Sequence, residues 1–96
     1  MNIVFCFMDG GEDQEEYVRE KLMELHYAHP AVVGAQVNFC CDDQPGRAKT
    51  CQIDLTAYGQ PFRVSQSGET FRNAADRALT TLVGKIESHA DSVAAK

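Results

Sequence analysis

The 96-residue sequence has no tryptophan, three prolines, and no apolar run near the roughly 20 residues that a membrane helix needs. Its opening, Met1-Asn2-Ile3-Val4-Phe5-Cys6-Phe7-Met8, lacks a basic start and runs into acids, so it does not have the layout of a secretion signal. Positive charge is also scarce: nine Lys and Arg stand against fourteen Asp and Glu, a formal net charge of −5. A domain that held nucleic acid by charge alone would be basic, so this balance argues against strong non-specific binding. There is no Gly-rich phosphate loop, no nucleophile elbow and no pair of carboxylates in an apolar setting, which leaves catalysis without a candidate residue. The four cysteines, Cys6, Cys40, Cys41 and Cys51, show no CxxC spacing. His26, His29 and His89 have no carboxylate or thiol at ligand spacing, so neither a metal nor a cofactor is expected. The thiols read as reduced, mostly buried small apolar residues of a cytoplasmic chain. A redox role for Cys40, Cys41 or Cys51 is left open by the residues alone.

Composition is otherwise that of an ordinary soluble domain, 44% hydrophobic and 24% charged, and 96 residues suit one core. Residues 1–96 read as a single domain with no linker or repeat. Residues 2–8 read as a short apolar strand ended by Asp9-Gly10-Gly11. Carboxylates from Glu12 to Glu16 then suit the first turn of a helix, where the macrodipole favours them. Val18, Leu22 and Leu25 make its apolar stripe, Glu15 and Arg19 pair across one turn, and Pro30 ends it near His26 to Ala28.

Alternation sets the next three strands. Val33, Ala35, Val37, Phe39 and Cys41 are expected on one face of a strand over Ala31–Cys41, and Cys51, Ile53, Leu55 and Ala57 on one face of the next. Keeping both sets inward requires an odd-length connection, expected to centre on Gly46 and to pair Cys41 with Cys51 and Phe39 with Ile53. The following hairpin needs the opposite parity, and a type II′ turn at Gly59-Gln60 satisfies it by setting Ala57 against Phe62 and Thr56 against Arg63. Asp54 then lies diagonal to Arg63. Pro61 suits an edge strand. A long helix starts between Gly68 and Thr70, with Phe71, Ala75, Ala78, Leu79, Leu82 and Ile86 inward and Arg72 paired to Asp76. Residues 90–96 read as a fraying tail. The order β-α-β-β-β-α, with apolar inward faces and a polar outward one, predicts an α+β fold in which two helices cover one face of a four-stranded sheet.

This order, the run from Cys51 to Leu55, the Tyr58-Gly59 pair, Phe62, Ser65, Gly68, Phe71, Ala75-Asp76-Arg77-Ala78, Leu82 and the Lys85 to His89 segment resemble the ribosome hibernation factors. These are also called sigma-54 modulation proteins or ribosome-associated inhibitors. The resemblance spans nearly the whole chain, including Glu16 to Leu22. It implies a fold related in outline to double-stranded-RNA-binding domains. It also implies a non-enzymatic factor that binds the small ribosomal subunit and its RNA under stress or in stationary phase and shuts down translation. The chain would correspond to the short form, without a C-terminal dimerisation domain.

Arg47, Lys49, Arg63, Arg72, Arg77 and Lys85 are the candidates to meet RNA phosphates; equally, each reads as a solvated surface charge. Gln36, Asn38, Thr50, Gln52, Asp54, Thr56 and Ser65 form a polar face open to a partner, or simply to water. Through His29, seven acids face only Arg19 and Lys21, so the whole negative excess lies on the first strand, loop and helix. Glu15, Glu16 and Glu20 on that helix are therefore the alternative site, for a protein partner in a family member that no longer binds RNA.

Overall fold

Alternation in the strands and 3–4 spacing in the helices give six main elements in the computed structural model, which describes residues 1–8, 10–41 and 48–94. They are β1 (Asn2–Phe7), α1 (Glu15–Ala28, entered through a 3-10 turn at Glu12–Gln14), β2 (Val32–Cys41), β3 (Lys49–Ala57), β4 (Gln60–Gly68) and α2 (Phe71–Ala94). The sheet order follows the chain, β1-β2-β3-β4, with β1 parallel to β2 and the other pairs antiparallel. A parallel pair needs a crossover, which α1 supplies. The order β-α-β-β-β-α and the four-stranded sheet are as expected.

Val18, Leu22 and Leu25 of α1 and Ala75, Ala78, Leu79, Leu82 and Ile86 of α2 are buried against Val37, Phe39, Cys51, Ile53, Leu55 and Val64 of the sheet. Among the described residues no polar or charged residue is buried. Thr70 caps α2 by accepting a hydrogen bond from the Asn73 amide at 3.0 Å. The helix then runs past His89 to Ala94, further than its apolar spacing suggested.

Three local expectations are corrected. Val33 points outward, 56% exposed, and Val32 is buried in its place. A register shift between Val32 and Gly34 sets two β2 residues against one step of β3, which turns Val33 over. Secondly, β2 and β3 pair two residues away from the expected register: Cys41 faces Lys49, Phe39 faces Cys51 and Val37 faces Ile53. A slip of two leaves every side chain on its own face, so alternation fixes parity but not register. The connection is odd in length, as expected; its centring on Gly46 falls outside the described residues.

Thirdly, the β3–β4 turn is Tyr58-Gly59, with φ of 54° and 70°. Two positive φ values mark a type I′ turn rather than type II′. Leu55 therefore faces Phe62, and Asp54 faces Arg63 directly. The left-handed conformation at Tyr58 is compensated by side-chain contacts: its hydroxyl is 3.5 Å from His29 Nδ1 and its ring centroid 4.9 Å from that of His89. Pro61 sits on the edge strand opposite Thr56, one step beyond the hydrogen-bonded pair that closes the turn, where its missing N–H faces away from β3.

Candidate nucleic-acid interface

The six basic candidates fall into three settings. Arg63 projects from the outward sheet face and is neutralised by Asp54, with Nε 2.5 Å from Oδ1. Arg72 is held on the α1 side of α2: its guanidinium carbon lies 3.4 Å from the centroid of the Tyr17 ring, and its Nε is 3.7 Å from Asp76. The Tyr17 hydroxyl donates to Asp76 at 2.5 Å, so one tyrosine, one aspartate and one arginine tie the two helices together. That hydrogen bond, helped by partial burial and by the Asp76 charge, raises the tyrosine above its ordinary range.

Lys49, Arg77 and Lys85 make the third setting. Lys49 is the first residue of β3. It stands opposite Gly68, with its ammonium 5.3 Å from the Phe71 ring centroid and 3.7 Å from Cys41 Sγ. Arg77 donates to the Ser67 carbonyl at 3.1 Å, so both residues adjoin the end of β4. Lys85 lies two helical turns further along α2 and is exposed. Among the described residues none of these three has an acid partner. Glu69, in the same junction, also has no basic partner among the described residues. Arg47 lies outside the described residues.

Negative charge collects on the other side of the molecule. Glu15 pairs with Arg19 and Glu24 with Lys21, each at 3.7 Å, but Glu16 and Glu20 on the exposed side of α1 have no partner among the described residues. Between α1 and α2 runs an open groove of about 510 Å³, floored by Leu25, Leu79 and Val83 and edged by Glu24, Asp76 and Glu87. The outward sheet face is knitted by side-chain hydrogen bonds, Thr50 to Ser67 at 3.0 Å and Gln52 to Asp54 at 3.3 Å.

Sequence reasoning missed two clusters. The Tyr17–Asp76–Arg72 knot joins residues 59 positions apart, and the Tyr58–His89–Phe62 ring cluster joins a turn, an edge strand and a helix. Neither leaves a local periodic signal. Among the described residues no three His, Cys, Asp or Glu side chains converge as a metal site, and no helix is long and apolar enough to cross a membrane.

The fold is shared with solved structures. A ribosomal subunit interface protein from Coxiella burnetii superposes with a TM-score of 0.81 at 12% identity, covering 95% of this chain and 99% of that one. The N-terminal domain of Protein Y from Thermus thermophilus does so at 0.75 and 22% identity, covering 93% and 99%. No curated protein sequence matches the chain. The family model described as sigma 54 modulation protein / S30EA ribosomal protein matches residues 1–94. The chain therefore belongs to the sigma 54 modulation protein / S30EA ribosomal protein family.

Proposed function

We propose that this chain is a cytoplasmic factor that associates with the small ribosomal subunit, contacts ribosomal RNA and restrains translation under stress or in stationary phase, by binding rather than catalysis. The observation that carries this reading is the family match over residues 1–94. It is supported by the fold shared with a protein whose name places it at the ribosomal subunit interface. The surface that best suits RNA is the β4–α2 side, where Lys49, Arg77 and Lys85 have no acid partner among the described residues. Arg63 and Arg72 spend theirs on Asp54 and Asp76.

Three phosphate contacts give shallow salt dependence, a log–log slope of about −2 to −3. Co-sedimentation with purified small subunits across a potassium chloride series tests this. Binding at low salt, weakened together by Lys49→Glu, Arg77→Glu and Lys85→Glu, is the expected result, and failure to pellet at any salt contradicts it.

The unpaired acids on α1 favour a second reading, a module that docks a basic protein and no longer binds RNA. The two separate cleanly. Exchanging Glu15, Glu16 and Glu20 for Lys strengthens an RNA contact and abolishes a contact with a basic partner.

A further inference from the structure

Gly84 sits inside α2, where glycine is the least favourable residue after proline. Its backbone is ordinary helix, and a Cβ placed there would meet no atom within 4 Å. Neither strain nor packing requires it. The missing side chain instead helps form a shallow, open depression between α2 and β4, lined by Phe62, Thr81, Gly84, Lys85, Ser88 and His89, of which Gly84, Lys85 and Ser88 are exposed.

The lining holds no carboxylate, in a chain with fourteen acids, whereas the groove between the helices carries three. Thr81 Oγ1 is already engaged, by the Arg77 carbonyl at 2.9 Å and the Gln66 amide at 3.4 Å. The Lys85 ammonium, the Ser88 hydroxyl and the ring nitrogens of His89 have no hydrogen-bond partner among the described residues. His89 is positioned by ring contacts at 4.9 Å to Tyr58 and 5.5 Å to Phe62. Unpartnered donors without an acid suit an anion, and a half-buried aromatic wall beside them suits a base or ribose.

We propose that this open depression takes one nucleoside phosphate unit, with the phosphate on Lys85 and Ser88, the base or sugar against Phe62 and His89, and Gly84 providing clearance. With RNA as the source, it rests on the ribosome reading above; a free nucleotide presents the same chemistry.

The test is NMR titration of the full chain with adenosine 5′-monophosphate, a short oligoadenylate, adenosine and inorganic phosphate. Saturable shifts at Gly84, Lys85, Ser88 and His89 are expected from the two nucleotide probes, with adenosine and phosphate each at least ten times weaker. An oligoadenylate that binds more tightly than the mononucleotide identifies RNA as the source, and equal affinity identifies the free nucleotide. Gly84→Gln puts a good helix former's side chain into the floor of the depression, so it should raise Tm by a few degrees while weakening the mononucleotide at least tenfold. Lys85→Met should erase the preference over adenosine. The proposal is overturned if Gly84→Gln gains stability and keeps full affinity, if phosphate alone reproduces the shifts, or if they map elsewhere. Parallel sedimentation with small subunits separates the two claims: a chain that pellets but ignores the nucleotides loses the nucleotide site and keeps the ribosome reading. One that binds the nucleotides but never pellets does the reverse.

Discussion

Cys51 shows how little of a side chain's behaviour its type decides. It lies on the inward face of β3 with no exposed surface, and burial, with a smaller contribution from Cys40, pushes its thiol from 9.0 up to about 12. The folded state therefore holds this proton more tightly than the unfolded chain does. That contribution is whole below pH 9 and is lost as pH rises from about 9 toward 12. Cys51→Ala should cost about 1–2 kcal/mol at neutral pH through the lost contacts. The gap to the parent should narrow above pH 9, and parallel denaturation curves would contradict it. Iodoacetamide should label exposed Cys6 quickly and Cys51 only through unfolding.

Two glycines invite a similar comparison. Gly11 has φ of 97°, and a Cβ there would lie 2.8 Å from Phe39 Cγ, whereas Gly59 at 70° faces open space. Gly59→Ala should cost about 1 kcal/mol for the left-handed backbone alone. Gly11→Ala should cost about 3 kcal/mol, since it also drives into a core ring. Equal losses in chemical denaturation would show that the Phe39 contact is unimportant.

At the level of elements, the register of the β3–β4 hairpin makes a sharp prediction. Asp54 faces Arg63 directly, so a double-mutant cycle between them should give a coupling of about 0.5 kcal/mol that fades in molar salt. Thr56 and Arg63, the pair expected from a Gly59-Gln60 turn, should show none. The reverse pattern would restore that turn.

The same hairpin marks where legibility stopped. A continuous apolar run found β1, alternation found the other three strands, and the spacing of Val18, Leu22 and Leu25 and of Phe71 to Ile86 found both helix faces, because burial imposes those patterns directly. Parity was readable for the same reason. Register was not, because a slip of two preserves parity, and the turn position depended on the contacts of Tyr58 with His29 and His89 from distant elements. The candidate site was legible as a set of bases. The acid partners of Arg72 and Arg63 were legible as well, from the i,i+4 spacing to Asp76 and from the neighbouring strand position of Asp54. The stacking of Arg72 on Tyr17 was not, because it forms only once α1 and α2 are side by side.

On the scale of the whole molecule, the net charge of −5 conceals a division. Among the described residues Glu16 and Glu20 on the exposed side of α1 have no basic partner, and Lys49, Arg77 and Lys85 on the β4–α2 side have no acid partner although Glu69 lies in the same junction. The ribosome reading proposed above puts phosphate on that second side. On that proposal the face should give modest, orientation-dependent affinity rather than the strong attraction of a basic domain.

Sedimentation of the full chain with purified small ribosomal subunits over a salt series tests that most directly. Binding at low salt should fall with a slope of about −2 to −3. Charge reversal at Lys49, Arg77 and Lys85 should weaken it, and reversal at Glu16 and Glu20 should strengthen it. A protein that stays in the supernatant at every salt concentration, or one whose binding depends on Glu16 and Glu20 instead, would contradict ribosome association through the β4–α2 face.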